Sequence, residues 1–112
     1  MNQELILPER IIKTWLERVR PREDMRDKVD VGYSFKNNVL LLFEIRPQWD
    51  DPSTMKEYPF ARAKFIKTQS IWEIYWLRAS GKWELYAPFP ITASVAIFLK
   101  TVEEDKLHCF RG

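Results

Sequence analysis

The chain has little of what catalytic and metal chemistry usually draws on. Its one cysteine, Cys109, excludes an internal disulfide and suits a reducing compartment. Its one histidine, His108, stands next to that cysteine. A zinc site needs about three or four protein ligands, and no second Cys or His exists to supply them. A thiol nucleophile needs an imidazole in front of it, whereas neighbours on an extended strand point to opposite sides. The only glycines are Gly32, Gly81 and Gly112, which rules out a glycine-rich phosphate loop. No run approaches the roughly 20 apolar residues of a membrane span. The start lacks the basic-then-apolar pattern of a secretory leader, so a cytoplasmic protein with no membrane partner is expected. Net charge is only +2, with a pI near 8.7, too low for a strongly basic, delocalised nucleic-acid binder.

What the chain does have is aromatic mass. Five Trp, four Tyr and seven Phe in 112 residues is a high share, and most of them fall between Tyr58 and Phe89. Residues 60–86 also carry five Lys or Arg against two Glu. That stretch reads FARAKFIKT, QS, IWEIYWLRA, SG, KWELY, three runs of period two separated by polar turns, the pattern of an antiparallel meander. With two-residue turns at Gln69-Ser70 and Ser80-Gly81, one face collects Ala63, Phe65, Trp72, Ile74, Trp76, Trp83 and Leu85 as core. The other collects Arg62, Lys64, Ile66, Glu73, Tyr75, Leu77, Lys82, Glu84 and Tyr86. On that register Lys64 lies opposite Tyr75, and Tyr75 opposite Tyr86.

Around the meander the chain reads as one α+β domain, residues 1–112. Residues 8–20 form an amphipathic helix with Ile11, Ile12, Trp15, Leu16 and Val19 in one stripe; Pro8 suits its first turn and Pro21 ends it. Val29 to Lys36 alternates strictly and is joined through Asn37-Asn38 to Val39 to Arg46, a strand apolar on both parities that belongs mid-sheet. Residues 47–59, with three prolines and Trp49, read as a long loop. Residues 92–104 form a second amphipathic helix with Thr92 as N-cap. The fold class expected is therefore an N-terminal helix, a five-stranded antiparallel sheet of hairpin plus meander, and a C-terminal helix, with Lys106 to Arg111 available as a short sixth strand.

Phe43-Glu44-Ile45-Arg46-Pro47 with Trp49, Ile74-Tyr75-Trp76-Leu77-Arg78 with Lys82-Trp83 and Tyr86, and Glu103-Glu104-Asp105 with Cys109-Phe110 together resemble a family of small bacterial proteins catalogued only as a domain of unknown function. The resemblance covers nearly the whole chain and implies a stand-alone bacterial protein. It brings no activity, ligand or catalytic residue with it.

Candidate chemistry therefore comes from the residues. An Asp on a first strand and Glu-x-Lys on a second, after a helix, is the layout of metal-dependent nucleases. Here Asp30, Glu44 and Arg46 occupy those places. Arg46 is a poor proton acceptor, and an Asn37-Asn38 turn pairs Asp30 with Ile45, on the face opposite Glu44, so this reading is disfavoured. Asp50-Asp51 is a solvated turn. No catalytic residue, metal or cofactor is assigned. The remaining lead is binding through the outward face of the meander, at Arg62, Lys64, Tyr75, Lys82 and Tyr86, together with Arg46 and the Trp49 loop. Its apolar content points first to self-association or a protein partner. Its cations and aromatics point second to single-stranded nucleic acid.

Overall fold

The computed structural model describes residues 8–111. Helix α1 (Glu9–Val19) opens on Pro8. It closes on Arg20, whose extended backbone (ψ 144°) is what Pro21 imposes on the residue before it. A single 3-10 turn, Glu23–Met25, leads into the sheet. The strands are β1 (Asp30–Lys36), β2 (Val39–Pro47), β3 (Met55–Ile66), β4 (Ile71–Leu77), β5 (Trp83–Leu85) and β6 (Ile91–Thr92), and α2 (Val95–Glu104) follows. All pairings are antiparallel, in the order β1-β2-β3-β4-β5, with β6 also on β4. The expected α+β architecture is therefore present, two helices with a hairpin and a meander.

Five details differ from the sequence reading: the long loop, the two turns of the meander, the sixth strand and the cap of the second helix. The long loop shrinks to residues 48–54, because β3 begins at Met55 and runs through Pro59. Pro59 is tolerated there because the ladder shifts by one residue next to it, between Leu42↔Ala61 and Phe43↔Pro59. A bulge is where a strand can take a residue that lacks an N–H. Both Phe60 and Ala61 are buried at this bulge.

The β3–β4 connection is a four-residue loop, not a two-residue turn, with Ser70 at φ 52°. Partners move by two, which preserves the faces: Arg62 now lies opposite Tyr75, and Lys64 opposite Glu73. The β4–β5 connection has three residues, Ala79-Ser80-Gly81. Arg78 C=O accepts from Gly81 N–H at 2.8 Å, and Arg78 N–H donates to Lys82 C=O at 2.9 Å. Gly81 sits at φ 87°, the position such a loop gives to glycine. An odd loop shifts the register by one and turns β5 over: Trp83 pairs with Leu77, and Leu85 with Tyr75.

The sixth strand is Ile91–Thr92 rather than Lys106 to Arg111, which contains no strand. Tyr86 N–H donates to Ile74 C=O and Ile74 N–H to Pro90 C=O, so β5 and β6 line one edge of β4 as an interrupted strand. Thr92 lies two residues before the helix cap, Ser94, whose N–H its Oγ1 accepts at 3.1 Å.

Both helices lie on one side of the sheet. Ile12, Trp15 and Leu16 of α1 and Val95, Phe98, Leu99 and Val102 of α2 share a cluster with Leu40, Leu42, Ala61, Ala63, Trp72 and Ile74. The two alanines in mid-sheet leave room for large helix side chains such as the fully buried Phe98. Glu103 ties the helices together, accepting from Trp15 Nε1 at 3.2 Å and pairing with Arg18.

Candidate functional site: the open face of the sheet

Strand alternation decides what the uncovered side carries. Since Leu40, Leu42, Ala61, Ala63, Trp72 and Ile74 face the helices, their neighbours Leu41, Phe43, Arg62, Lys64, Glu73 and Tyr75 face away. The shifted β5 adds Trp83 and Leu85 to this open face, and Ile45, Glu57 and Leu77 extend it.

Its centre is Arg62. The guanidinium carbon lies 4.6 Å from the centre of the Tyr75 ring and 5.7 Å from that of Trp83. Its Nε is buried without a hydrogen-bond partner, so aromatic faces, not hydrogen bonds at that atom, hold the group. The Tyr75 hydroxyl donates to Glu73 Oε1 at 2.9 Å. Burial, then that bond, pushes the phenol above the usual tyrosine range. Lys64 is exposed.

On the β1 side the face is sealed by Phe43, which is buried although neither described helix covers it. The reason is Gly32, directly opposite: a Cβ there would stand 2.9 Å from the Phe43 ring, so only glycine lets the ring lie down.

The residues singled out in the sequence separate into three places. Arg62, Lys64 and Tyr75 come together on the open face. Tyr86 and Lys82 do not join them, because the three-residue turn sends both to the other side of β5. Tyr86 is buried in the core with its ring 4.8 Å from that of Phe110, and burial raises its pKa. Trp83 stands in their place, and Leu85 beside it is 42% exposed, so neither is core. The signal for this was present in the sequence: glycine as the third residue of Ala79-Ser80-Gly81 marks a three-residue hairpin loop.

Arg46 and Trp49 belong to the β2–β3 hairpin end, away from this cluster. Arg46 lies 4.4 Å over the Tyr58 ring. Trp49 is 90% exposed in a loop that Asp51 organises by accepting from Ser53 Oγ and Thr54 Oγ1, both at 2.6 Å. Those hydroxyls hold the Asp51 carboxyl below its usual range.

The nuclease layout is not assembled. Asp30 pairs with Ile45 and is held by Arg20 through two bonds of 2.8 and 2.7 Å, which depress its pKa. Glu44, on the opposite face, accepts from Arg111 at 2.8 Å. Among the described residues no three His, Cys, Asp or Glu side chains gather as a metal site. Burial raises the Cys109 thiol, the opposite of an activated nucleophile.

No described helix is long and apolar enough to cross a membrane. The family described as "Domain of unknown function (DUF3024)" matches residues 3–112, and the chain belongs to it. No curated protein and no solved structure matches the chain.

Proposed function

We infer that the protein is a binding module that self-associates by packing the open face of its sheet against the same face of a second copy. The observation that carries this reading is the composition of that face: Leu41, Ile45, Leu77, Trp83 and Leu85 stand on the side of the sheet that neither described helix covers. Sheet-on-sheet packing is the ordinary way to bury such a surface. A contact between identical surfaces must be self-complementary. The face supports that requirement with both signs of charge, Arg62 and Lys64 against Glu57 and Glu73. Arg62, Tyr75 and Trp83 supply the residue types that concentrate binding energy at the middle of interfaces.

Single-stranded nucleic acid suits the same face less well. Glu57 and Glu73 oppose phosphate, and the Arg62 guanidinium already lies over the Tyr75 ring on which a base would stack.

Light-scattering mass over a concentration series tests the reading. The wild type is expected above 13.5 kDa, and Leu85→Asp, at an exposed position, is expected to lower the mass while the fold is kept. A wild-type monomer at every concentration overturns the reading. So does a Leu85→Asp protein of unchanged mass. A monomer that binds single-stranded oligonucleotides with steep salt dependence would move the face to the nucleic-acid class.

A further inference from the structure

Strand β1 ends the sheet: β2 lies on one side of it, and among the described residues no strand lies on the other. The two-residue turn at Asn37-Asn38, with φ 53° and 62°, makes Lys36 and Val39 a hydrogen-bonded pair. Asp30, Gly32, Ser34 and Lys36 therefore direct their N–H and C=O groups to β2, and Val31, Tyr33 and Phe35 direct theirs outward. Val31 agrees with this: its N–H donates to the Asp30 side chain at 2.8 Å instead of to a strand. Free edges are commonly guarded by proline, a bulge or a mid-strand charge. β1 has none of these and carries charge only at its two ends.

The order of residues along this edge is the telling feature. Asp-Val-Gly-Tyr-Ser-Phe-Lys is complementary to its own reverse: acid meets base, Val meets Phe and Gly meets Ser, with Tyr33 in the middle. We propose that β1 pairs antiparallel with β1 of a second copy about a two-fold axis at Tyr33, setting Asp30 of each copy opposite Lys36 of the other. In that register Tyr33 N–H donates to the other Tyr33 C=O in both directions, and Phe35 N–H donates to Val31 C=O in both directions. None of these needs an existing bond to break; only Val31 N–H would have to leave Asp30. Shifting the register by two residues sets Asp30 opposite Ser34 and leaves Lys36 without its carboxylate, so charge selects the full overlap. The axis stands perpendicular to the sheet, so both open faces remain on one side of a continuous sheet. This pairing uses the edge rather than the open face, and it stands whether or not that face is occupied.

A charge-swap experiment on the full chain tests it. Lys36 is exposed, so Lys36→Glu keeps the fold; it sets two carboxylates opposite each other at both ends of the pairing. Its light-scattering mass is expected to be half that of the wild type. Asp30→Lys sets two ammonium groups opposite each other and should do the same. An equimolar mixture of the two restores opposite charges at both ends and should recover the wild-type mass, which a folding defect cannot do. If Asp30→Lys fails to fold after losing its bond to Arg20, the mass of Lys36→Glu decides alone. A Lys36→Glu protein with wild-type mass, or a mixture that stays at half mass, overturns the proposal. If Lys36→Glu changes nothing while Leu85→Asp lowers the mass, edge pairing is wrong and open-face association stands. The converse result removes the face and keeps the edge.

Discussion

Arg62 and Trp83, on strands that are not neighbours, meet across Tyr75: the guanidinium carbon lies 4.6 Å from the tyrosine ring centre and 5.7 Å from the indole. This contact exists because the turn after β4 has three residues, which bring Trp83 to the open side of the sheet. It places a cation and two aromatic rings on the surface where association is proposed.

The turn itself can be probed first. Gly81 is at φ 87° and an added Cβ would meet nothing within 4 Å, so any cost of substitution is conformational. Gly81→Asn should cost less than Gly81→Val, by about 1–2 kcal/mol in chemical denaturation, because asparagine tolerates positive φ and a β-branched residue does not. Equal losses would contradict the turn assignment.

The five tryptophans should fall into unequal classes. Trp72 is 3% exposed in the core, and Trp72→Ala should destabilise the protein by about 3–5 kcal/mol. Trp83→Ala, on the open face, should cost clearly less stability and act on association instead. Equal destabilisation, read from urea midpoints at low protein concentration, would return Trp83 to the core.

Gly32 and Phe43 form a coupled pair. Gly32→Ala brings a methyl group to 2.9 Å from the Phe43 ring and should cost about 1–3 kcal/mol. Phe43→Leu should recover part of that loss in the double variant, although it destabilises on its own. Strictly additive effects in thermal denaturation would mean that the ring does not lie on the glycine.

Acid stability should report the carboxylates held by arginine. Asp30, bonded to Arg20, and Glu103, bonded to Arg18, both have depressed pKa values in the folded protein. A depressed carboxylate contributes stability above its unfolded pKa, near 4, and loses it as pH falls through the folded value. The wild type should therefore weaken progressively below about pH 4. Asp30→Asn should be less stable at neutral pH and show a shallower acid slope. An unchanged slope would remove Asp30 from the set of groups that set it.

How much of this was legible beforehand depends on the signal each element carries. Both helices and the Asn37-Asn38 hairpin were clear, because stripe, breaker and turn residue agree with one another. Pro59 hid the start of β3, since a proline argues against a strand unless a bulge receives it, and a bulge has no sequence mark of its own. Tyr86 and Trp83 were exchanged by a single step of register, the error to which a period-two pattern is most sensitive. Arg62, Lys64 and Tyr75 kept their face because the error at the preceding turn was even. The burial of Phe43 on the open side follows from Gly32 directly across from it, a pairing visible once the hairpin register is written out.

The open-face account is tested most directly by hydroxyl-radical footprinting of the tryptophans at low and high protein concentration. Trp49, 90% exposed at the end of the β2–β3 hairpin, serves as the internal reference. The account predicts that Trp83 becomes protected as concentration rises while Trp49 stays reactive. Equal reactivity of Trp83 at all concentrations, or protection confined to Trp49, would contradict it.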